Sequence, residues 1–424
     1  MKRGGIDENH TRHQTTQSQA ARSAICRKPI PMTTSDMNKS PQKNPPETIV
    51  AAYYFPNYHV DPANEREHGP GWTEWQILKA AHPRFDGHYQ PRIPAWGYED
   101  ESDPAVMEKK ISAAADHGIN CFIFDWYHYQ DGPFLERCLE QGYMGARNNG
   151  RVKFCCMWAN HDWVDLFPAK YSENPYEHAR LLQPGTVDDR AFDAIIGRVV
   201  GRYFSHPSHQ LIEGCPFFSI YDLGRLVAGF GSVAKTRAAL ERFREVTKKA
   251  GFPDLHLNAI VWGTPILPGE TTPVENSRLV NELGFDSATS YVYVHHTPFE
   301  QFPAVSYQSI RDRYFRYWEE ETGPLGIPYI PNVTVGWDAS PRTTQSDIFA
   351  NASYPFVSVI GDSSPEEFET ALRMTRARME ARTGRQIPMV TINSWNEWSE
   401  GSYLEPDLRH GLGYLEAVRA VFGA

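Results

Sequence analysis

The sequence has no apolar run near the roughly 20 residues needed to cross a bilayer, so no membrane-spanning helix is expected. It has no basic excess either. Its 42 Lys and Arg stand against 52 Asp and Glu, a net charge of −10, with no basic stripe, which argues against a nucleic-acid partner. Six cysteines, Cys26, Cys121, Cys138, Cys155, Cys156 and Cys215, show no CxxC spacing. Cys121, Cys155 and Cys156 sit inside apolar runs and read as buried thiols. A G-x-S-x-G elbow, a P-loop, a GxGxxG before a helix and HExxH are all lacking. His161 and Asp162 are adjacent, as are His295 and His296, so their side chains diverge on extended backbone. No metal and no cofactor is therefore expected. The first 47 residues carry basic residues but no apolar core of a secretory leader. A disordered N-terminal tail over 1–47 and a cytoplasmic location are expected. No feature of the pattern specifies an oligomeric state.

What is present begins after residue 47. Apolar runs of strand length recur at 48–55, 119–127, 152–158, 216–222, 255–262, 285–291, 327–335 and 387–395. Most are apolar throughout, as strands covered on both faces are. Helical patterns fall between them. Asp103-Pro104 opens one that Gly118 stops, and Ser364, Pro365 and Glu367 form a capping-box start. Other helices are expected at 132–148, 187–204, 231–250, 273–283, 303–321 and 410–422. Eight strands alternating with eight helices predict an α/β fold, a single (β/α)8 TIM barrel over 48–424 with long βα loops.

A barrel places its chemistry at the C-terminal strand ends. Those ends read "YYFPNYH" (53–59), "FDWYHY" (124–129), "WANHDW" (158–163), "SYVYVHH" (290–296), "GWDASPR" (336–342) and "NSWNEWSEGSYLEP" (393–406). Aromatic, amide and acidic side chains collect there, whereas the opposite ends are plain. Aromatic faces are platforms for sugar rings as well as core material, so the 13% aromatic content counts here because it accompanies carboxylates. Cleaving a glycosidic bond takes two carboxyls, one to protonate the leaving oxygen and one to act as base or nucleophile. Glu397 and Glu400, three apart on a turn, can face one cavity at about 5–6 Å, near the retaining separation. Trp395 and Trp398 can desolvate one of them and raise its pKa. The ordinary reading of such a pair is one capping glutamate and one paired with an arginine.

"WNEWSEGSYLEP" (395–406) resembles the C-terminal signature of glycoside hydrolase family 99 and its WbsX-like relatives. "YYFPNYH", "GWTEWQILKAAHPRFDGHYQP" (71–91), "WANHDW" and "GWDASPR" are similar to other blocks of that group. The resemblance implies a barrel that cleaves glycosidic bonds with retention. It makes Glu397 the base toward the sugar's own 2-hydroxyl, giving a 1,2-anhydro sugar, and Glu400 the general acid and then base for water. That chemistry requires a manno- or rhamno-configured ring. Substrate contacts are expected from Tyr54, His59, Trp72, Glu74, His88, Tyr89, Asp125, Trp126, Asn160, Trp163, Tyr291, Trp337, Asp338, Asn396 and Trp398. Asp338 and Arg342 form either a subsite or an ion pair. The expected partner is a carbohydrate substrate. A glycosyltransferase with the same cavity, and a non-catalytic sugar-binding protein, are the alternatives.

Overall fold

The computed structural model describes residues 48–174, 178–273 and 275–423; the tail expected over 1–47 lies outside them. Every expected strand run is extended: β1 Ile49–Tyr54, β2 Cys121–Tyr129, β3 Lys153–Trp158, β4 Cys215–Ile220, β5 His256–Ile260, β6 Ser287–Thr289, β7 Tyr329–Ile330, β8 Asn332–Thr334 and β9 Met389–Asn393. They pair in parallel in the order β7-β6-β5-β4-β3-β2-β1-β9-β8. The run 327–335 is thus two strands divided at Pro331, which has no N–H to give a ladder. Its first half pairs with β6 (Ala288 opposite Tyr329) and its second with β9 (Asn332 opposite Thr391). The Pro331 carbonyl accepts from the Thr391 N–H at 2.9 Å. One kinked segment therefore reaches both neighbours, and the result is a nearly closed nine-strand barrel of TIM type.

The barrel interior is more polar than the apolar runs suggest. Thr289 and Thr391 approach across it at 3.3 Å between hydroxyls, and Asn332 donates to Thr391 at 3.1 Å. Asn258 joins Ser219 and Ser287 in a second buried group. Each of these six side chains has a partner, which is the condition for burying it. On β4 the alternate residue Phe218 faces outward instead, packing on Phe204 and Phe243 of the surrounding helices.

The helices start where their caps are. Asp103 accepts from the Ala105 N–H at 2.8 Å ahead of Pro104–Asp116, and Ser364 from the Glu367 N–H at 3.3 Å ahead of Pro365–Ala381. The helix expected over 132–148 is not there. Strand β2 runs on to Tyr129 and turns into Gly132–Phe134, which pairs back on it, leaving only a short wide helical turn at Cys138–Tyr143. The pattern at 231–250 is likewise preceded by a separate helix, Leu223–Phe230, before Val233–Lys249, with Gly231 at φ +75° between them. The long connection after β1 carries two short helices, Pro62–His68 and Trp75–Ala80. No helix among the described residues is long and apolar enough to cross a membrane.

Candidate active site

The segment after β9 is a tight hairpin. Asn396–Glu397 pairs antiparallel with Ser402–Tyr403, and one helical turn, Trp398–Glu400, closes the loop. Gly401 sits at φ +66°, and a β-carbon there would lie 2.7 Å from that of Asp338, so the close packing requires glycine. The other residues of the hairpin hold it in place. Asn396 exchanges two 2.8 Å hydrogen bonds with the Phe55 backbone. Both indole N–H groups, of Trp395 and Trp398, donate to Glu405 at 2.8 Å. Trp398 also stacks on Tyr403 with ring centres 3.7 Å apart.

This anchoring turns Glu397 and Glu400 into one cavity at the strand ends. Asp125, Tyr127, His161, Trp163, Tyr221, Tyr291 and Arg342 also line it. The Arg342 guanidinium is the hub. Its Nη1 donates to Glu400 Oε1 at 2.5 Å, and its Nη2 lies 2.9 Å from Glu74 Oε1 and 3.5 Å from Glu397 Oε1. Tyr354 also donates to Glu400 Oε1, at 2.6 Å. Glu74 is further held by Asn57 at 2.7 Å and by the Ser399 hydroxyl. Glu397 Oε2 accepts from the Tyr291 hydroxyl at 2.6 Å, and that hydroxyl also lies 2.9 Å from Asp125 Oδ2.

One guanidinium therefore serves three glutamates, with a fourth carboxyl beyond Tyr291. Burial raises Glu397 well above the usual carboxylate range, reinforced by the charge of Glu400 and opposed by Arg342. Burial also raises Glu400, against the pull of Arg342 and Tyr354. Asp125 is raised well above its ordinary value by burial too. A site that holds several buried carboxyls with raised pKa around one cation is equipped for acid–base chemistry. On a second wall, the Tyr221 hydroxyl donates to Glu270 at 2.5 Å. Glu270 also takes the N–H groups of Ile266 and Leu267 at 2.6 and 2.9 Å, which seats the Leu267–Pro268 edge of the cavity. No group of three or more His, Cys, Asp or Glu among the described residues is arranged to hold a metal ion.

Of the residues expected at the site, Glu397, Glu400, Asp125, Trp163 and Tyr291 meet in the cavity. Glu74 and Asn160 stand behind it, Glu74 bracing Arg342 and Asn160 bridging the Asp222 backbone at 2.7 and 2.8 Å. The rest lie elsewhere. Successive side chains on a strand face opposite ways, so Tyr53 and Asp125 look inward while Tyr54 bonds Met107 Sδ and Trp126 bonds Glu136 on the outer side. His59 is fully buried and its pKa is lowered to about 4 by burial. Trp72 packs behind Phe167 and against His68. His88 is spent on Asp338 and Tyr89 on Asp407. Trp337 is buried beside Tyr354, and Asn396 and Trp398 hold the hairpin. Asp338 does not pair with Arg342; it takes His88, Gln90 and Arg92. Tyr354, Glu270 and the hub role of Arg342 were not foreseen, because each is defined by partners distant in sequence.

A parallel barrel whose strand ends converge on buried, paired carboxyls defines the class, a TIM-barrel-like protein with the fold of glycoside hydrolase family 99. The family 99 endo-α-mannosidase from Bacteroides thetaiotaomicron, in complex with bis-tris-propane, superposes with a TM-score of 0.52 at 13% identity, over 88% of this chain and 95% of that one. A glycoside hydrolase-like protein superposes with a TM-score of 0.56 at 15% identity, over 95% and 99% of the two chains. At these identities the likeness is one of fold. The chain belongs to the WbsX family, whose model, described as glycosyltransferase WbsX, matches residues 50–418. That is a family of carbohydrate-active enzymes. It is 29% identical over 390 residues to the protein WxcX of two strains of Xanthomonas campestris pv. campestris, covering 88% of this chain and 50% of WxcX. The chain thus spans about half the length of the curated relatives it matches.

Proposed function

We propose that this protein is a retaining glycoside hydrolase acting on a polysaccharide or oligosaccharide of manno- or rhamno-configured sugars, with Glu397 and Glu400 as the acting pair. The observation that carries this reading is the sharing of one buried guanidinium by both glutamates at the barrel mouth. Glu397, as carboxylate, takes the proton of the sugar's 2-hydroxyl, and that oxygen closes on C1. Glu400 gives its proton to the departing oxygen. Arg342 and Tyr354 both engage Glu400 Oε1, so the transferable proton sits on Oε2. Water then attacks C1 with Glu400 as base, the C1–O2 bond breaks as Glu397 returns its proton to that oxygen, and two inversions give net retention. The excess of carboxyls over cations suits a transition state that gains positive charge at the ring. Trp163, Phe55 and Phe167 supply apolar faces around the sugar.

The description of the family model favours a second reading, glycosyl transfer from an activated donor. The phosphates of such a donor need a cation or a helix N-terminus. Among the described residues lining the cavity, Arg342 is the one Lys or Arg, and it already faces three carboxyls. The test is incubation with α-mannans and rhamnose-containing polysaccharides, with and without nucleotide sugars, following the first product by NMR. Cleavage without donor, the new anomer matching the bond cut, is expected. Donor-dependent product without hydrolysis overturns the proposal.

A further inference from the structure

The hydroxyl of Tyr291 touches two carboxyls, Glu397 Oε2 at 2.6 Å and Asp125 Oδ2 at 2.9 Å. A phenol has a single proton to donate. It satisfies one of these contacts; the other is a hydrogen bond only if the carboxyl on that side carries a proton and donates it to the phenol oxygen. Asp125 is 2% exposed, and its second oxygen, Oδ1, has no hydrogen-bond partner. Leaving a full negative charge there, with no cation in contact, is costly. From these contacts we infer that Asp125 is a positioning residue that holds a proton on behalf of Glu397 and exchanges it through Tyr291. The inference rests on the reading of Glu397 as a base.

The exchange balances. When Glu397 is the acid, its proton passes to the phenol oxygen while the phenol proton passes to Asp125 Oδ2. One O–H bond breaks and one forms at each oxygen pair, Tyr291 ends as a phenol, and Glu397 is left a carboxylate. Burial raises both acids, consistent with one proton retained by the pair near neutrality, and two acids so coupled titrate as a unit. The titratable or charged groups facing Asp125 are Tyr53 from β1, Tyr127 from its own strand, Tyr291 after β6, and Glu397 and Glu400 from the loop after β9, with Arg342 beyond the two glutamates. The tyrosines are all raised further by burial, so the exchangeable proton belongs to the carboxyls. This arrangement lets the site start with Glu397 charged although burial alone favours its neutral form. It also assigns Asp125 a different task from a sugar-hydroxyl ligand.

The test is infrared spectroscopy of the folded protein at pH 7 without substrate, comparing wild type with Asp125→Asn. The wild-type-minus-D125N difference spectrum, in which bands of Glu400 and other acids common to both cancel, is expected to hold a carboxylic-acid carbonyl band that persists well above the ordinary carboxylate range. The Asn amide donates to the Tyr291 oxygen as the protonated acid does, so D125N keeps that contact while removing the exchangeable carboxyl proton. A difference spectrum without such a band overturns the inference, and a raised KM in D125N alongside it is the mark of a sugar ligand. The wild-type titration stands even if D125N fails to fold. The spectra need no turnover, so a protein that cleaves no glycan still passes or fails this test on its own terms.

Discussion

Two buried acid clusters of opposite stoichiometry lie side by side at the barrel mouth. In one, a single carboxylate, Asp338, receives His88 at 2.9 Å, Gln90 at 2.8 Å and Arg92 at 3.5 Å. In the other, a single cation, Arg342, faces Glu74, Glu397 and Glu400. They touch: the Asp338 N–H donates to the Glu400 carbonyl at 2.5 Å. Both are almost fully buried. Burial works against the charge of Asp338, yet His88 and Arg92 hold its pKa far below the usual range. The same burial, with too few donors, pushes Glu397 and Glu400 up. Depth is equal, so the donor-to-acid ratio separates an acid that braces the fold from acids that can trade protons.

The sharpest way to break this contrast is to remove the shared cation. Arg342→Met leaves three buried carboxyls uncompensated, and a loss of about 3–5 kcal/mol in denaturant unfolding is expected. Unchanged stability would mean that water already serves the cluster. Asp338→Asn is expected to cost about 1–3 kcal/mol while kcat/KM changes far less. The sign of its pH dependence follows from the depressed folded pKa. The stabilisation from ionised Asp338 is fully present above the unfolded value of about 3.9 and is lost as pH falls through the lower folded one. The gap between wild type and D338N should therefore close under acid, and a gap independent of pH contradicts the assignment. Smallest is Trp163→Ala, which removes an apolar wall of the cavity. A rise in KM of about ten-fold, equivalent to about 1.4 kcal/mol, with a smaller change in kcat, is expected from steady-state kinetics.

Much of this architecture is legible in the sequence, for definite reasons. Apolar runs and capping residues are local signals, so every strand segment and the helices after Asp103 and Ser364 lie where the pattern puts them. The clustering of Trp, Asn and Glu after 393 marks the strand end that carries Glu397 and Glu400. Facing direction is harder. Tyr53 and Tyr54, or Asp125 and Trp126, are equally attractive as residue types, and the pleat sends one inward and its neighbour outward. Partnership over long distance is harder still. Glu74, Arg342 and Glu400 meet only because three loops converge, and Asp338, four residues from Arg342, looks the more natural partner in sequence. Asn396 and Trp398 read as substrate contacts because they flank the glutamates, but the hairpin needs them as anchors.

The most direct measurement is glycan cleavage by Glu397→Gln and Glu400→Gln, each shown by circular dichroism and melting to remain folded. A loss of about 10²–10⁴-fold in kcat for each variant is expected from removal of an acid–base group. Near wild-type turnover in either folded variant would contradict the pairing of Glu397 and Glu400 at the centre of this account.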